Sequence, residues 1–358
     1  MPEIRIDPLS GHRTIVAGER SRRPGGAPGL PASVRETPPI DPSDDPFAEG
    51  AEARTPPELY ALRPGGGVPD SPGWTVRVVP NLFPALSEAT ADLAAPGGES
   101  TTGQRDSASA TGEGDAERAP LRGDARGELL RSMPARGAHE VIVNGPQPVL
   151  SLAELPAEQV ISAVEVWRER MRAHADASYV QLIVNERREA GASLPHTHAQ
   201  LYALGFVPAE VARERERAGA YATRTMGGEL LGDLVAEEVR RGERIVAIDD
   251  EAVLLAPFAS RLPFQLMLVP RRPLPRFEQD GPTGAALLHD GLRRLARQLG
   301  ASPPLNMWVR TAPRGAEHFC WRIDIVPRLT HLAGLELSTD VNLNIVAPEH
   351  AAALLRDA

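Results

Sequence analysis

Apolar positions along this chain change their period several times, and each change predicts an element. VRVVPNLFPAL (76–86), HEVIV (139–143) and YVQLIVN (179–185) are short runs rich in β-branched residues that read as strands. In LPAEQVISAVEVWRERMRAHAD, Val160, Val164, Trp167 and Met171 recur every three or four positions, the stripe of an amphipathic helix. The same succession returns later. AVLLAPFASRLPFQLMLVP (252–270) reads as strands, and GAALLHDGLRRLARQLG as a helix with Leu287, Leu288, Leu292, Leu295 and Leu299 on one side. PLNMWVR (304–310) and HFCWRIDIVPRL (318–329) read as closing strands. Each half places apolar strands around a Pro-Phe element, then a helix, then two strands. A period this long predicts a duplicated domain rather than a solenoid. We expect an α+β fold whose halves cover residues 1–206 and 207–358, with 207–243 opening the second half as two charged surface helices broken at Met226-Gly227-Gly228.

One segment has no apolar period. From about 87 to 128 the text is rich in Gly, Ser, Thr, Asp and Ala and poor in large apolar residues. Such a stretch cannot bury enough surface to offset its ordering entropy, so a disordered surface insertion is expected.

Composition narrows the class. With 358 residues and 42% hydrophobic content the chain can build a substantial core, and two units are the natural division. A net charge of −9 offers no electrostatic footprint for nucleic acid, although a locally basic cleft for an anionic substrate is compatible with it. The lone Cys320 excludes an intramolecular disulfide and a cysteine-rich zinc knuckle. MPEIRIDPLSGHR is charged and polar, and no apolar run approaches the ~20 residues that span a bilayer, so a cytoplasmic protein without a membrane partner is expected.

Chemistry concentrates in SLPHTHAQL (193–201), where two of the nine histidines stand one residue apart with a glutamine next in step. On a strand, His196, His198 and Gln200 share one face. Three readings compete. A His-x-His pair can hold a metal, but a structural zinc takes four ligands and a catalytic one three, and no second cluster stands nearby. The pair can also be a polar strand face satisfied by backbone groups. Finally, a neutral imidazole can act as a nucleophile that carries a phosphoryl or nucleotidyl group. Context favours the last. NERREAGASLP is a small-residue loop able to approach a phosphate, and GERSRRPGG offers Arg20, Arg22 and Arg23 for bidentate phosphate contacts. Gln200 can donate to phosphoryl oxygens yet cannot protonate a leaving group, which suits a covalent intermediate better than hydrolysis.

LPHTHAQ resembles the His-x-His-x-Gln signature of the galactose-1-phosphate uridylyltransferase branch of the histidine-triad superfamily. The resemblance covers most of the chain outside the insertion. It implies two histidine-triad-like halves, each a mostly antiparallel sheet packed with helices. RIDPLSGHRTIVAGERSRRP resembles the family's opening segment, placing Arg20 and Arg23 on the nucleotide. VRVVPNLFPAL brings Asn81 to the nucleotide, and VNERREAGASLPHTHAQ brings in Asn185, Ser193, the nucleophile His198 and its partner Gln200. His196 would orient the loop. LAGLELSTDVNLNIVAPEHAAALLRD resembles the closing segment, where a glutamate touches the hexose, here Glu336. The implied activity moves a nucleoside monophosphate, UMP in the family, between a nucleoside-diphosphate sugar and a sugar 1-phosphate. That activity serves galactose and carbohydrate metabolism, and the resemblance further implies a homodimer.

Departures from the family pattern bear on cofactors. Many members bind zinc through Cys-x-x-Cys, a later histidine and the first histidine of the signature. Here Asp45 and Ala48 stand at the cysteine positions and Pro148 at the histidine, leaving His196. Histidines that hold iron in some relatives are replaced by Cys320 and Arg322. No zinc or iron is therefore expected. If a metal were held nonetheless, His196, Asp45 and His139 would be left to hold it. A glycine in many relatives, two residues after Asn185, is Arg187. Three alternatives stand beside the transferase: a phosphorylase of ADP-glucose type taking inorganic phosphate as acceptor, a non-catalytic nucleotide sensor, and a metal hydrolase.

Overall fold

The computed structural model describes residues 2–22, 29–87, 132–279, 281 and 283–358; the expected insertion, apart from Ser87, lies outside them. Thirteen strands are described: β1 (Glu3–Ile6), β2 (Arg13–Val16), β3 (Tyr60–Leu62), β4 (Val76–Pro80), β5 (Gly137–Val143), β6 (Tyr179–Glu186), β7 (His198–Leu204), β8 (Ile245–Ile248), β9 (Ala252–Leu255), β10 (Leu266–Pro270), β11 (Leu305–Arg310), β12 (Arg322–Pro327) and β13 (Asn342–Asn344). β1, β2 and β13 form a small sheet. The other ten form one sheet in the order β3-β4-β5-β7-β6-β11-β12-β10-β9-β8.

That order repeats itself about the centre. From the middle outward it runs β6, β7, β5, β4, β3 on one side and β11, β12, β10, β9, β8 on the other. Every pairing within it is antiparallel. The two halves thus share one topology and meet where β6 pairs with β11, with Asn185 opposite Asn306. By the same correspondence, β12 is the counterpart of β7.

Helices cover one face. Ala157–Ala173 and Ala285–Leu299 pack side by side, and Pro348–Asp357 packs against the second. The predicted stripes are the buried ones: Val160, Val164, Trp167 and Met171 are fully buried, and the five leucines of the second stripe join the same core. The two charged helices are Ala209–Thr225 and Leu230–Arg241, with Met226 in the left-handed region at φ 57° where the first ends. Among the described residues no helix is long and apolar enough to cross a membrane.

The strand period decides what faces the other way. In β7, Ala199, Leu201 and Ala203 enter the main core beneath the helices. His198, Gln200 and Tyr202 alternate with them and point to the opposite side of the sheet. A separate apolar cluster of Phe47, Trp74, Val79, Val141 and Val143 lies on that side of the first half. His196 departs from the expected row. The strand begins at His198, so His196 lies in the bend before it and takes its own direction.

Candidate active site

His198 opens β7 and is almost completely buried. Its Nδ1 lies 2.8 Å from the carbonyl oxygen of His196, an acceptor, so the ring proton sits on Nδ1 and Nε2 keeps its lone pair. Burial, the largest influence, holds the His198 pKa below the ordinary histidine value, so the ring is neutral at pH 7. This is the tautomer a nucleophile needs. Phe47 stands edge-on to the ring at 5.3 Å between centroids.

The ring borders a cavity of about 390 Å³. Its walls are mostly apolar, from Pro46, Phe47, Pro56, Val79, Leu82, Phe83 and Val141. Its polar groups include Arg54, Asn81, Ser193, His198 and Gln200. An apolar cleft with a few convergent polar groups suits a flat ligand carrying a polar tail. Arg54 already donates to the carbonyls of Ser43, Asp44 and Asp45, which fixes the loop carrying Phe47.

Beside Gln200 stands His139 of β5, whose ring stacks on Tyr202 at 4.1 Å and 25°. His139 Nε2 lies 3.1 Å from Gln200 Oε1 and 3.1 Å from Asn81 Nδ2, and the Ala85 N–H donates to its Nδ1 at 3.1 Å. The Tyr202 hydroxyl also donates to Gln200 Oε1, at 2.9 Å.

His196 is sealed away from this cavity. Its Nδ1 is 2.6 Å from Asp45 Oδ2 and its Nε2 is 2.8 Å from the Gly145 carbonyl. Both ring nitrogens are thus engaged, one by a carboxylate and one by a backbone carbonyl. Asp45 Oδ1 accepts from the Phe47 N–H at 2.9 Å, and both side chains of the pair are completely buried.

Two features of the preceding loop carry predictions. Arg187 sits at φ 68° and ψ 157°, a conformation that favours glycine, and its side chain donates to the Val34 carbonyl and to Thr37 Oγ1. Arg187→Ala keeps the backbone strain and loses these bonds, whereas Arg187→Gly loses the bonds and the strain together. Urea denaturation should therefore find the alanine variant less stable than the glycine variant by about 1–2 kcal/mol.

Glu186 is buried beneath the same loop, accepting from Ser151 Oγ at 2.6 Å and from the Leu152 N–H at 2.7 Å. Burial pushes its pKa up to about 7, from 4.5. Between these values the unfolded chain releases a proton that the folded one keeps. Stability present below pH 4.5 is therefore lost as pH rises towards 7, by about 3 kcal/mol. Glu186→Gln should remove this fall, read by denaturation at pH 5 and pH 8.

Other anticipated residues scatter. Ser193 and Asn81 line the cavity with His198 and Gln200. Asn185 does not line it; its Oδ1 accepts from Asn306 Nδ2 at the seam between the halves. Arg20 is exposed in the turn Gly18–Arg22 and does not line the cavity, and Arg23 lies outside the described residues. Glu336 caps its own short helix through the Ala333 N–H. Pattern reasoning gave His139 no place beside Gln200, and Tyr202 and Arg54 none at all. The signal for His139 was its spacing of two from Val141, the residue that pairs with Gln200 across β5 and β7.

A family profile described as galactose-1-phosphate uridyl transferase, N-terminal domain, matches residues 76–208. A second, described as a domain of unknown function (DUF4921), matches 152–357. The profile over 76–208 and the curated relatives support the resemblance to the galactose-1-phosphate uridylyltransferase family. It is 26% identical over 369 residues to the ADP-glucose phosphorylase of Arabidopsis thaliana, covering 99% of this chain and 93% of that protein. A probable galactose-1-phosphate uridylyltransferase of Drosophila melanogaster is 26% identical over 322 residues, covering 88% of this chain and 80% of that one. The crystal structure of an Arabidopsis thaliana ADP-glucose phosphorylase with bound ADP-glucose shares the fold, with a TM-score of 0.74 at 24% identity over 100% of this chain and 99% of that one.

Against the metal centres implied for the galactose-1-phosphate uridylyltransferase family, the residues here do not fit. Of the zinc set only His196 is in place, and its two nitrogens are held by Asp45 and a carbonyl, while a structural zinc takes four ligands. In the second half, Arg322 and Asp324 of β12 alternate with the core residues Ile323 and Ile325, on the same side of the sheet as His198 and Gln200. Arg322 binds Glu214 through two bonds of 2.9 and 3.0 Å and binds Asp324 at 3.0 Å. Burial pushes the Cys320 thiol up to about 12, far from a metal-binding thiolate. Among the described residues no group of three His, Cys, Asp or Glu side chains is arranged to hold a metal.

Proposed function

We propose that this protein is a metal-independent nucleotidyltransferase acting on a nucleoside-diphosphate sugar through a covalent histidine. One observation carries the reading: a buried, neutral His198 with its Nε2 lone pair free, beside Gln200 on a cavity of about 390 Å³. Nε2 attacks the α-phosphorus, and the bond to the sugar 1-phosphate breaks with its electron pair on the leaving oxygen. A second sugar 1-phosphate then attacks the same phosphorus, and the P–N electron pair returns to Nε2. Gln200 and Ser193 donate to the phosphoryl oxygens as charge shifts, and the apolar walls hold the nucleoside. UMP is the group moved under this reading. His196 acts from behind the nucleophile, since its carbonyl fixes the His198 tautomer.

A second reading keeps the histidine and changes the acceptor to inorganic phosphate, releasing a nucleoside diphosphate. It is favoured by the relative that spans 99% of the chain and is named an ADP-glucose phosphorylase. The test incubates the protein with ADP-glucose or UDP-glucose radiolabelled in the α-phosphate, then resolves it on a denaturing gel. Acid-labile label on the protein is the expected result, and chase with phosphate or with galactose 1-phosphate identifies the acceptor. No label with either sugar nucleotide sinks both readings. A homodimer with sites near the subunit interface is an arrangement in which Arg20 and Glu336, which do not line the cavity within one chain, would reach the substrate. Sedimentation velocity tests it.

A further inference from the structure

His139 is buried against the proposed site without bordering the cavity itself. We propose that His139, together with Tyr202, is a positioning residue that fixes the Gln200 amide with its NH2 towards His198. The inference rests on the nucleotidyl-transfer reading and assigns an orientation that the reading requires.

Ala85 donates to His139 Nδ1 from the backbone, a donor that cannot be turned round, so the single proton of a neutral ring is on Nε2. That N–H meets Gln200 Oε1 at 3.1 Å, and the Tyr202 hydroxyl meets the same oxygen at 2.9 Å. Two donors fill the two lone pairs of the amide oxygen. Rotating the amide by 180° would set its NH2 against the His139 N–H, donor to donor. The NH2 is therefore left for the cavity side, which Gln200 shares with His198. Asn81 is oriented by the same logic. Its Oδ1 accepts from the Phe83 N–H at 2.8 Å, and its Nδ2, beside a ring nitrogen that already carries a proton, keeps its hydrogens for a ligand. Stacking on Tyr202 fixes the ring plane, and burial, the largest influence, lowers the His139 pKa and keeps the ring neutral. Donors aimed in advance cost no reorganisation when charge shifts on the phosphoryl group.

The test uses side chains that imitate one ring nitrogen each. Asparagine can accept from Ala85 but is too short to reach Gln200. Glutamine extends far enough to donate to Gln200. We expect His139→Asn and His139→Ala to lower kcat with ADP-glucose or UDP-glucose by about 10–100-fold while KM stays within about threefold, because the lost interaction acts in the transition state. His139→Gln should recover most of kcat. In a Gln200→Ala background, His139→Ala should cost nothing more, since its route is already cut. Full activity of His139→Asn with impairment of His139→Gln would overturn the proposal and assign the ring to the Ala85 loop. Independent, additive losses from His139→Ala and Gln200→Ala would overturn it as well. In both of those cases the wild-type protein still acquires acid-labile label, whereas failure of the nucleotidyl-transfer reading itself removes the label.

Discussion

His198→Ala is expected to abolish covalent labelling and to lower kcat/KM for nucleotidyl transfer by at least about 10⁴-fold, while the affinity for the nucleotide sugar changes by less than about tenfold. The reason is geometric. His198 presents one lone pair to the cavity and spends its other nitrogen on the His196 carbonyl, so its contribution is bonding to phosphorus rather than ground-state contact. His198→Gly vacates the ring's space, where free imidazole added to the assay should be nucleotidylated in its place. Single-turnover kinetics and equilibrium binding separate the two quantities. Near-normal turnover by His198→Ala, with loss in His196→Ala, would move the nucleophile to the other histidine. Full activity in both would end the nucleotidyl-transfer reading.

Asp45→Ala should be the most damaging change away from the cavity. It strips His196 of its buried carboxylate partner, and breaking a buried pair by removing one member costs about 3–5 kcal/mol. On a chain of this size that is roughly 4–7 °C of melting temperature. Transfer should fall too, because the displaced segment carries the carbonyl that fixes the His198 tautomer. Asp45→Asn keeps an acceptor for Nδ1 and should lie between wild type and alanine. Added zinc should rescue neither variant, and chelators should leave the wild type unchanged. Stability of Asp45→Ala within about 1 kcal/mol of wild type would show that the pair does not hold the loop.

Much of the architecture was legible because two local signals recur along the chain. Strand alternation sorts Ala199, Leu201 and Ala203 from His198, Gln200 and Tyr202, and the 3.6-residue stripe fixes the buried face of both large helices. Repetition of strand, helix and closing strands announced the halves, and the order β6, β7, β5, β4, β3 against β11, β12, β10, β9, β8 follows from the same text folded twice. At the site, His198, Gln200, Asn81 and Ser193 were singled out from residue type and resemblance, and the fold brings all four to one cavity.

What remained hidden lies in contacts between residues remote in sequence. Period alone put His196 beside His198; the strand starts two residues too late for that, and Asp45, 151 positions away, captures its ring. Arg54 and Tyr202 carry no motif, and their roles exist only once a loop and two strands have met. The sequence by itself determined which side chains could do the chemistry and which faces would be buried, because both depend on residue type and local period. Only the tertiary structure decided the tautomers, since a ring nitrogen donates or accepts according to the group placed opposite it. For His198, His139 and His196 those groups are a carbonyl, a backbone amide and a carboxylate, each set by the packing of segments that local pattern does not join.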